Sequence, residues 1–522
     1  ERLQPLLSLF GIQTPTEIVI AAAALFAVSA VIAAAVRMLL VWASQKFVFG
    51  IAQELSILVY SRTLHQPYSY HTEHNSAQTL AAINKAQMLT TGLLVPLMQA
   101  TSASVIAFFI LLGLLFVDPL VALASGLGFS VIYLVVARFT RTRMRRNGGI
   151  IAAAQKERVQ AANEGLGGIR DVLLDRSQGI FIRRFASVEG ALRNAQATNN
   201  FIGQSPRFIV EGLGLVLIAI LAVALSLREG GLIAALPVLG ALALGAQRLL
   251  PLLQQLFTGW SAAMTNGQML HDVLDITRLP EAPHYRQRDA KGALLFETAI
   301  TLHDVRFSYP EADCAALECI NLVIPKGARV GFIGKTGSGK STLMDLILGL
   351  LTPQAGRILI DDQELTDANR AAWQTRIAHV PQVIYLSDAS IAENIAFGVP
   401  RNQIDMERVR RAAQQAELSD VIEKLPQGYE SFVGERGVRL SGGQRQRIGI
   451  ARALYKQAEV LVFDEATSAL DISTEASVLA SINHLDRNLT VLMIAHRHST
   501  LRTCDQVWDL SVGTMRQLLE LP

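Results

Sequence analysis

The sequence contains few cysteines and almost no excess of positive charge. Its 522 residues include three cysteines and carry a formal net charge of +3. So small a charge gives no reason to expect nucleic acid as a partner. Cys314, Cys319 and Cys504 do not have the spacing of a metal site, and we expect them to be structural and, inside a cell, reduced. These shortages argue against a nucleic-acid-binding protein, a cysteine metal site and a disulfide framework.

The beginning of the sequence lacks two further features. It starts with Glu1 rather than Met, and no charged region followed by a signal-peptide cleavage site is found there. We therefore expect a fragment of a longer chain. Residues 3–10 are rich in leucine, and two interpretations stay open for them: a helix lying along a membrane surface, or the frayed end of a fragment.

Long apolar stretches, by contrast, are abundant in the first half of the sequence. Each is close to the roughly 20 residues that a membrane helix needs. They are residues 17–42, 92–116, 120–137, 208–227 and 232–256. The sequence therefore predicts an α-helical transmembrane domain over residues 1–275.

Arginine and lysine are unevenly divided among the connections between these stretches. The short turns at 117–119 and 228–231 are nearly free of them, whereas 138–184 is rich in arginine. By the positive-inside tendency, the long connections are cytoplasmic and Glu1 is on the outer face. We interpret 47–84 and 138–206 as membrane helices that extend into the cytoplasm. Each is expected to bend, near 68–75 in the first and near 175–182 in the second.

The second half of the sequence has a different pattern. Residues 276–294 combine prolines or glycines with mixed charge, as in a linker. From residue 295 onward, short β-rich segments alternate with helices, which predicts an α/β ATPase domain over 295–522.

A glycine-rich run, Gly334–Ser341, matches the P-loop pattern between an apolar strand and a helix. In a P-loop, backbone N–H groups and the lysine surround nucleotide phosphates, while the serine hydroxyl reaches Mg²⁺. Alone, this run predicts binding of a nucleoside triphosphate with Mg²⁺. The predicted contacts are Gly334, Lys335, Thr336, Gly337, Ser338, Gly339, Lys340, Ser341 and Thr342.

Two carboxylates end a buried strand further along the chain. Asp464 and Glu465 follow the apolar run 460–463. Asp464 is predicted to hold Mg²⁺ and Glu465 to polarise the attacking water. His496 ends another apolar strand, and a structural role is one interpretation of such a residue. Because it follows the two nucleotide motifs in the sequence, we predict that it contacts the γ-phosphate.

Two further side chains are candidates for the same site. Gln382 follows His379-Val380-Pro381 and is predicted to contact Mg²⁺ or the water from a mobile loop. Tyr309 precedes the P-loop strand, where it would stack on adenine; a core aromatic residue is the other interpretation.

The run Leu440–Gln444 places a serine and two glycines before a helix, which predicts a second anion-binding helix N-terminus. Ser441, Gly442, Gly443 and Gln444 would bind a nucleotide held by another copy, because the P-loop already serves the chain's own. Together with Ser468–Asp471 and His496, these motifs resemble the complete motif set of an ABC transporter ATPase.

The resemblance implies further features as expectations. Such proteins form a head-to-tail dimer with two ATP molecules between P-loop and signature motif, and Asp471 would belong to that nucleotide site. Val433–Gly437 resembles a segment of the exporter branch, and the bends at 68–75 and 175–182 correspond to its coupling helices. A half-transporter of this branch has six spans, so one helix would be missing upstream of residue 17. A homodimer is expected since one chain carries every motif, although a heterodimer with a similar partner stays open.

Three arginines lie within or at the ends of the apolar stretches. Arg37, Arg207 and Arg248 could line a cavity for an anionic head group such as a diphosphate, since intramembrane charges usually face a cavity or partner. Alternatively, Arg207 marks the membrane boundary, and Arg37 or Arg248 pairs with Glu211.

Short segments around these arginines resemble bacterial lipid-linked oligosaccharide flippases. The resemblance implies a multi-pass protein of the cytoplasmic membrane, with its ATPase domain in the cytoplasm, that moves a polyprenyl-diphosphate-linked glycan. A general lipid, drug or peptide exporter is the alternative substrate class. A non-transporting ATPase is a third hypothesis, which the intact Glu465 and His496 argue against.

Overall fold

The computed structural model describes residues 15–74, 76–117, 119–226, 231–280, 294–310, 314–465, 475–477, 480, 488–494, 501–511 and 513–518. The chain divides into two compact units. One comprises Glu1–Gln66 and His71–Glu281, and the other Pro67–Tyr70 and Ala282–Pro522. Most of the predicted linker, 281–293, and residues 3–10 lie outside the described residues.

The described residues up to 280 are helical. Eight α-helices and one π-helical turn, Thr90–Leu94, follow each other along this part of the chain. The helices are α1 (Pro15–Leu64), α2 (Tyr68–Glu73), α3 (Ser76–Leu89), α4 (Val95–Val117), α5 (Pro119–Gly167), α6 (Ile169–Leu174), α7 (Gln178–Ser226) and α8 (Gly231–Thr277).

The predicted apolar stretches fall on the five long helices α1, α4, α5, α7 and α8. By length and hydropathy, two helical segments of the described chain, Val19–Leu64 and Leu80–Phe116, are able to cross a membrane. The predicted helical extensions are present, because α1 continues to Leu64 and α5 to Gly167.

The long helices break close to the two predicted bends. The first break lies at 65–67 and is followed by α2, in agreement with the prediction. The second begins earlier than predicted, at Gly168, and α6 separates it from a turn at 175–177. The consecutive glycines Gly167 and Gly168 favour this earlier end, since glycine is the weakest non-proline helix former.

Glycines let the long helices approach closely. A Cβ added to Gly148 on α5 would lie 2.2 Å from the carbonyl oxygen of Thr265 on α8. One added to Gly259 on α8 would lie 2.5 Å from the Cβ of Ala100 on α4. Small residues at such crossings allow tight helix packing. Glycine is therefore required at both crossings, which fix α8 against α4 and α5.

The second unit contains two sheets. One is antiparallel with strand order β2-β1-β4-β5, and the other has the order β10-β9-β3-β8-β7-β6 with a parallel centre. The strands are β1 (Ala299–Phe307), β2 (Leu317–Pro325), β3 (Arg329–Ile333), β4 (Ala355–Ile360), β5 (Gln363–Glu364), β6 (Ile377–Val380), β7 (Val460–Asp464), β8 (Thr490–Ile494), β9 (Gln506–Ser511) and β10 (Thr514–Leu518).

Helices pack on these sheets. They are α9 (Lys340–Ile347), α10 (Arg370–Arg376), α11 (Ile391–Ile395), α12 (Met406–Gln415), α13 (Ser419–Glu423) and α14 (Gly442–Lys456). Strands β3, β7 and β8 are almost wholly buried, as expected of central parallel strands. Trp373 is fully buried in the core and donates a hydrogen bond from Nε1 to the carbonyl oxygen of Ile347 at 2.7 Å. The predicted α/β fold is thus present.

Candidate nucleotide and transport sites

The P-loop joins β3 to α9, as the sequence predicts. Gly334 and Gly339 have φ values of +144° and +98°. A Cβ at Gly334 would lie 2.2 Å from the carbonyl oxygen of Leu510, and one at Gly339 would lie 2.5 Å from that of Ala316. Both positions therefore require glycine for conformation and for space.

The polar groups of the loop fit a phosphate ligand. Lys340 is 7% exposed, and its Nζ donates to the carbonyl oxygens of Gly334 at 2.8 Å and Lys335 at 2.9 Å. The buried hydroxyl of Ser338 has no hydrogen-bond partner within the described structure. A buried polar group without a partner is costly. Lys335, Thr336 and Gly337 are exposed on the same loop, so phosphate oxygens are able to reach it.

The predicted Mg²⁺ ligands lie together. Ser341 forms a side-chain hydrogen bond with Asp464 at the end of β7. Burial first, and then the neighbouring Glu465, raise the pKa of Asp464, although the bond from Ser341 opposes this shift. A hydroxyl and a carboxylate are hard oxygen ligands of the kind that Mg²⁺ uses beside phosphates. The described residues hold no cluster of three His, Cys, Asp or Glu able to bind a metal alone.

Asp345 is a member of this region that the sequence did not reveal. It lies one turn after Ser341 on α9, and burial together with the charge of Asp464 raises its pKa to about 6. Its spacing from Ser341, i to i+4, places both on one helix face. That spacing was the only signal available in the sequence.

Gln382 and Glu465 are brought together, as a shared role requires. Nε2 of Gln382 donates a hydrogen bond to Oε2 of Glu465 at 2.6 Å. Glu465 has a φ of 49°, and its backbone N–H donates to the carbonyl oxygen of Ile494 at 3.1 Å. A left-handed conformation is uncommon for a non-glycine residue and is often found at functional sites.

The Tyr309 side chain is partly exposed next to α9. Its hydroxyl lies 3.2 Å from Oγ1 of Thr342, and its ring packs edge-on against Phe307 at 5.1 Å. Tyr309 as a whole is 37% exposed. A flat ligand is therefore able to reach it, and adenine stacking remains a prediction.

The run Ser441–Gln444 forms the N-terminus of α14. Ser441 Oγ accepts a hydrogen bond from the backbone of Gln444 at 3.2 Å, and Gln444 Oε1 accepts one from the backbone of Ser441 at 2.8 Å. This capping box holds an exposed serine at the start of a 15-residue helix. His496 and Asp471 lie outside the described residues, so their predicted roles stay predictions.

A cavity of about 390 Å³ in the helical unit brings Arg37 and Arg248 together. Arg207 is not among its lining residues, and within the described residues none of the three arginines forms a salt bridge with Glu211. We call this space the arginine cavity. It is lined by Arg37, Leu40, Val41, Ser44, Gln45, Val48, Val95, Met98, Gln99, Ser102, Ala103, Ile106, Ile110, Gln247, Arg248, Pro251, Leu252 and Gln255.

Sequence reasoning missed several polar residues of the arginine cavity. Gln45, Gln99, Ser102 and Gln255 line it on three helices. Their signal was present, because each is a polar residue inside or beside an apolar stretch. Without the packing of α1, α4 and α8, however, nothing in the sequence assigns them to one cavity.

Comparison with known proteins places both units. Residues 8–231 match the ABC transporter transmembrane region, and residues 317–468 match the ABC transporter family. An ATP-dependent lipid A-core flippase of Cupriavidus metallidurans is 32% identical over 480 residues, which cover 90% of this chain and 78% of the relative. The chain belongs to the ABC transporter family. It is a half-transporter of the exporter type, with a membrane domain and an ATPase domain.

A further relative and a solved structure agree with this family assignment. The lipid A-core flippase of Pectobacterium atrosepticum is 29% identical, over 90% of this chain and 80% of the relative. A solved structure of a bacterial Atm1-family ABC exporter with ATP bound superposes with a TM-score of 0.76 at 26% identity, covering 90% of this chain and 82% of that one. The predicted family and fold class are therefore confirmed.

Proposed function

We propose that this exporter moves an anionic glycolipid across the cytoplasmic membrane at the expense of ATP. The observation that carries the proposal is the arginine cavity. Two arginines line it, and no acidic residue is found among its described lining residues. Intramembrane arginines are costly unless they are paired. An anionic head group would supply the missing charge.

The relatives support this class of substrate. Several are named ATP-dependent lipid A-core flippases, so their names give a lipid as the substrate. We propose a polyprenyl-diphosphate-linked oligosaccharide, a lipid with phosphates and sugars, as the specific substrate. Since guanidinium groups bind phosphate oxygens in bidentate fashion, Arg37 and Arg248 suit its diphosphate. A general lipid, drug or peptide exporter is the second candidate, favoured by the apolar residues of the same cavity.

The ATPase residues support a hydrolysis cycle. Lys340 would exchange its bonds with loop carbonyls for bonds with the β- and γ-phosphates. Ser341 and Asp464 would hold Mg²⁺, which when bound neutralises phosphate charge. Gln382 would release Glu465 to orient and deprotonate the attacking water. His496 would contact the γ-phosphate.

Complete sites would require a second copy of the chain. The capping bonds join Ser441 and Gln444 and do not use the backbone N–H groups of Gly442 and Gly443, which would bind an anion at the N-terminus of α14. We propose a homodimer in which this terminus binds the nucleotide of the partner's P-loop. The membrane domain would then lie in the cytoplasmic membrane, with both ATPase domains in the cytoplasm.

The test uses the protein reconstituted in liposomes with a fluorescent polyprenyl-diphosphate-linked glycan. Arg37→Gln and Arg248→Gln should each raise the half-maximal lipid concentration for ATP-dependent flipping about tenfold or more, because each removes charge-assisted hydrogen bonds. Arg143→Gln is the matched control, since Arg143 is exposed on α5 away from the cavity. Glu465→Gln serves as the variant without hydrolysis.

Several results would count against the proposal. Unchanged glycolipid flipping in both arginine variants would refute the role of the arginine cavity. Transport of uncharged drugs in preference to the glycolipid would favour the general exporter. Full ATPase activity in Glu465→Gln would show that Glu465 is not the base. Arg207→Gln distinguishes a site of three arginines from a site of two.

A further inference from the structure

The helical unit contains a second cavity, of about 460 Å³. It is formed where the π-helical turn Thr90–Leu94 and α4 face α5, α7 and α8. We call it the amide cavity. Its lining residues are Met88, Thr91, Gly92, Pro96, Ile151, Gln196, Asn199, Asn200, Gly203, Gln204, Thr258, Ser261, Ala262, Thr265 and Asn266.

The lining of the amide cavity is polar but uncharged. Five side-chain amides and four hydroxyls face it, and its described lining residues include no lysine, arginine, aspartate or glutamate. The arginine cavity, in contrast, contains two cations. Val95 lines the arginine cavity and Pro96 the amide cavity, so both spaces adjoin the start of α4. The two cavities therefore suit chemically different parts of one ligand.

Some of the amides hold the walls in place. Asn199 is 4% exposed, and its Nδ2 donates to Oγ1 of Thr265 at 3.0 Å and to the carbonyl oxygen of Met144 at 3.3 Å. Nδ2 of Asn266 donates to the carbonyl oxygen of Gly92 in the π-helical turn at 2.8 Å. These bonds tie α5, α7, α8 and the turn together. The cavity is thus preformed rather than created by a ligand.

Other polar groups remain available. The side chains of Asn200, Gln204 and Thr91 form no hydrogen bond within the described residues, and all three are exposed to the cavity. Asn200 and Gln204 lie four residues apart on α7, so they share one face of the helix. Together they offer amide donors, amide acceptors and a hydroxyl.

This combination matches the chemistry of a neutral sugar. Each sugar hydroxyl both donates and accepts hydrogen bonds, and an amide or hydroxyl side chain does the same without charge. Met88, Pro96 and Ile151 provide apolar surface for the C–H faces of a sugar ring. The volume lies within the range of sites for drug-sized ligands, which includes a short glycan.

We propose that the amide cavity binds the neutral sugars of the glycolipid whose phosphates occupy the arginine cavity. This inference rests on the proposed function, and it assigns the glycan of the substrate to Asn200, Gln204 and Thr91. The exporter would then distinguish a glycosylated lipid from the same lipid without sugar.

The experiment compares two probes that differ only in sugar. Polyprenyl diphosphate and polyprenyl diphosphate carrying a neutral hexose oligosaccharide are titrated against the ATPase activity of the reconstituted exporter. The quantity measured is the half-maximal concentration of the lipid without sugar divided by that of the glycosylated lipid. This ratio is insensitive to general losses of activity or folding. The wild-type protein should require about tenfold less of the glycosylated lipid, as expected when a few hydrogen bonds are gained.

Two variants test the lining. The first is the double variant Asn200→Ala/Gln204→Ala. The second is Thr91→Val, which conserves the side-chain shape and lies on a different segment. Each should lower this ratio toward one. Asn194→Ala is the matched control, because Asn194 is an exposed amide on α7 that does not line the cavity. Its ratio should equal that of the wild type.

The outcomes separate the two proposals. A wild-type ratio of about one, or an unchanged ratio in both variants, overturns the glycan site. In either case both lipids still stimulate the ATPase, so the proposed function stands. Stimulation by neither lipid overturns both. A lowered ratio in the variants but not in Asn194→Ala establishes the glycan site.

Discussion

At the scale of single residues, the candidate nucleotide site brings together side chains from distant parts of the sequence. Burial first, and then the charge of Asp464 at the end of β7, raise the pKa of Asp345 on α9 to about 6. The usual value of 3.8 applies in the unfolded chain. The folded state therefore binds more protons between these two values.

This pKa shift predicts a pH-dependent stability. The contribution of protonated Asp345 is fully present below pH 3.8 and is lost as the pH rises through about 6. Above that pH the ionised carboxylate destabilises the fold, and the neutral side chain of Asp345→Asn should remove this penalty. At pH 8 the variant should therefore melt about 2 to 4 °C above the wild type, after discounting for solvent screening at this partly exposed site. At pH 4 the two should melt together.

The measurement is thermal unfolding of the exporter in detergent across this pH range. Asp362→Asn is the control, because Asp362 is an exposed carboxylate in the same unit. Equal melting temperatures of Asp345→Asn and wild type at pH 8 would contradict the prediction.

The placement of the P-loop between a strand and a helix, and of Asp464 at a strand end, was predictable because each belongs to a contiguous motif. Asp345 was not, since its role depends on the distance between α9 and β7 rather than on its neighbours in the chain. Arg37 and Arg248 are an intermediate case. The energetic cost of a charge in an apolar stretch marked them in the sequence. That Arg207 does not line the cavity, however, is known only from the packing of the helices.

At the scale of elements, the capping box of α14 has two consequences. It stabilises the helix through bonds between Ser441 and Gln444, and these bonds do not use the backbone N–H groups of Gly442 and Gly443 at the helix start. The same serine is therefore expected to matter for both stability and nucleotide binding.

Ser441→Ala should cost about 1 kcal/mol of unfolding free energy through loss of the N-cap. Ser441→Thr keeps the hydroxyl and should retain most of it. Ser419→Ala is the control, because Ser419 begins α13 without forming a side-chain cap. Chemical unfolding of the three variants provides the measurement, and equal stability of Ser441→Ala and wild type would rule out a stabilising cap.

The long helices were predictable from their apolar runs, because burial in lipid or protein requires little beyond length and hydropathy. The position of the second break and the π-helical turn were not. Hydrophobic periodicity does not distinguish a turn with an extra residue from a regular α-helical turn, and the turn depends on tertiary partners such as Asn266.

At the scale of the whole molecule, the proposed composite sites make a prediction about mixed dimers. Lys340→Ala removes the P-loop lysine, and Ser441→Arg blocks the start of α14. Each variant alone should be inactive as a homodimer. A mixed dimer places both defects in one site and leaves the other intact, so the purified mixed dimer should have about half of the wild-type ATPase activity.

Co-expression with two different affinity tags allows the mixed dimer to be purified and its ATPase rate measured. A mixture of Lys340→Ala with Lys340→Glu is the matched control, because both defects then lie in the same motif and no intact site forms. Recovery in the control, or none in the test mixture, would contradict sites shared between two copies.

The π-helical turn Thr90–Leu94 has one more consequence. Such a turn is an α-helix with one residue inserted, and a single residue corresponds to about 100° of rotation around the helix axis. Everything on α4 is therefore out of phase with α3. Gln99 and Ser102 are directed to the arginine cavity by this offset. Deleting Leu94 would rotate them away without removing any side chain that lines either cavity.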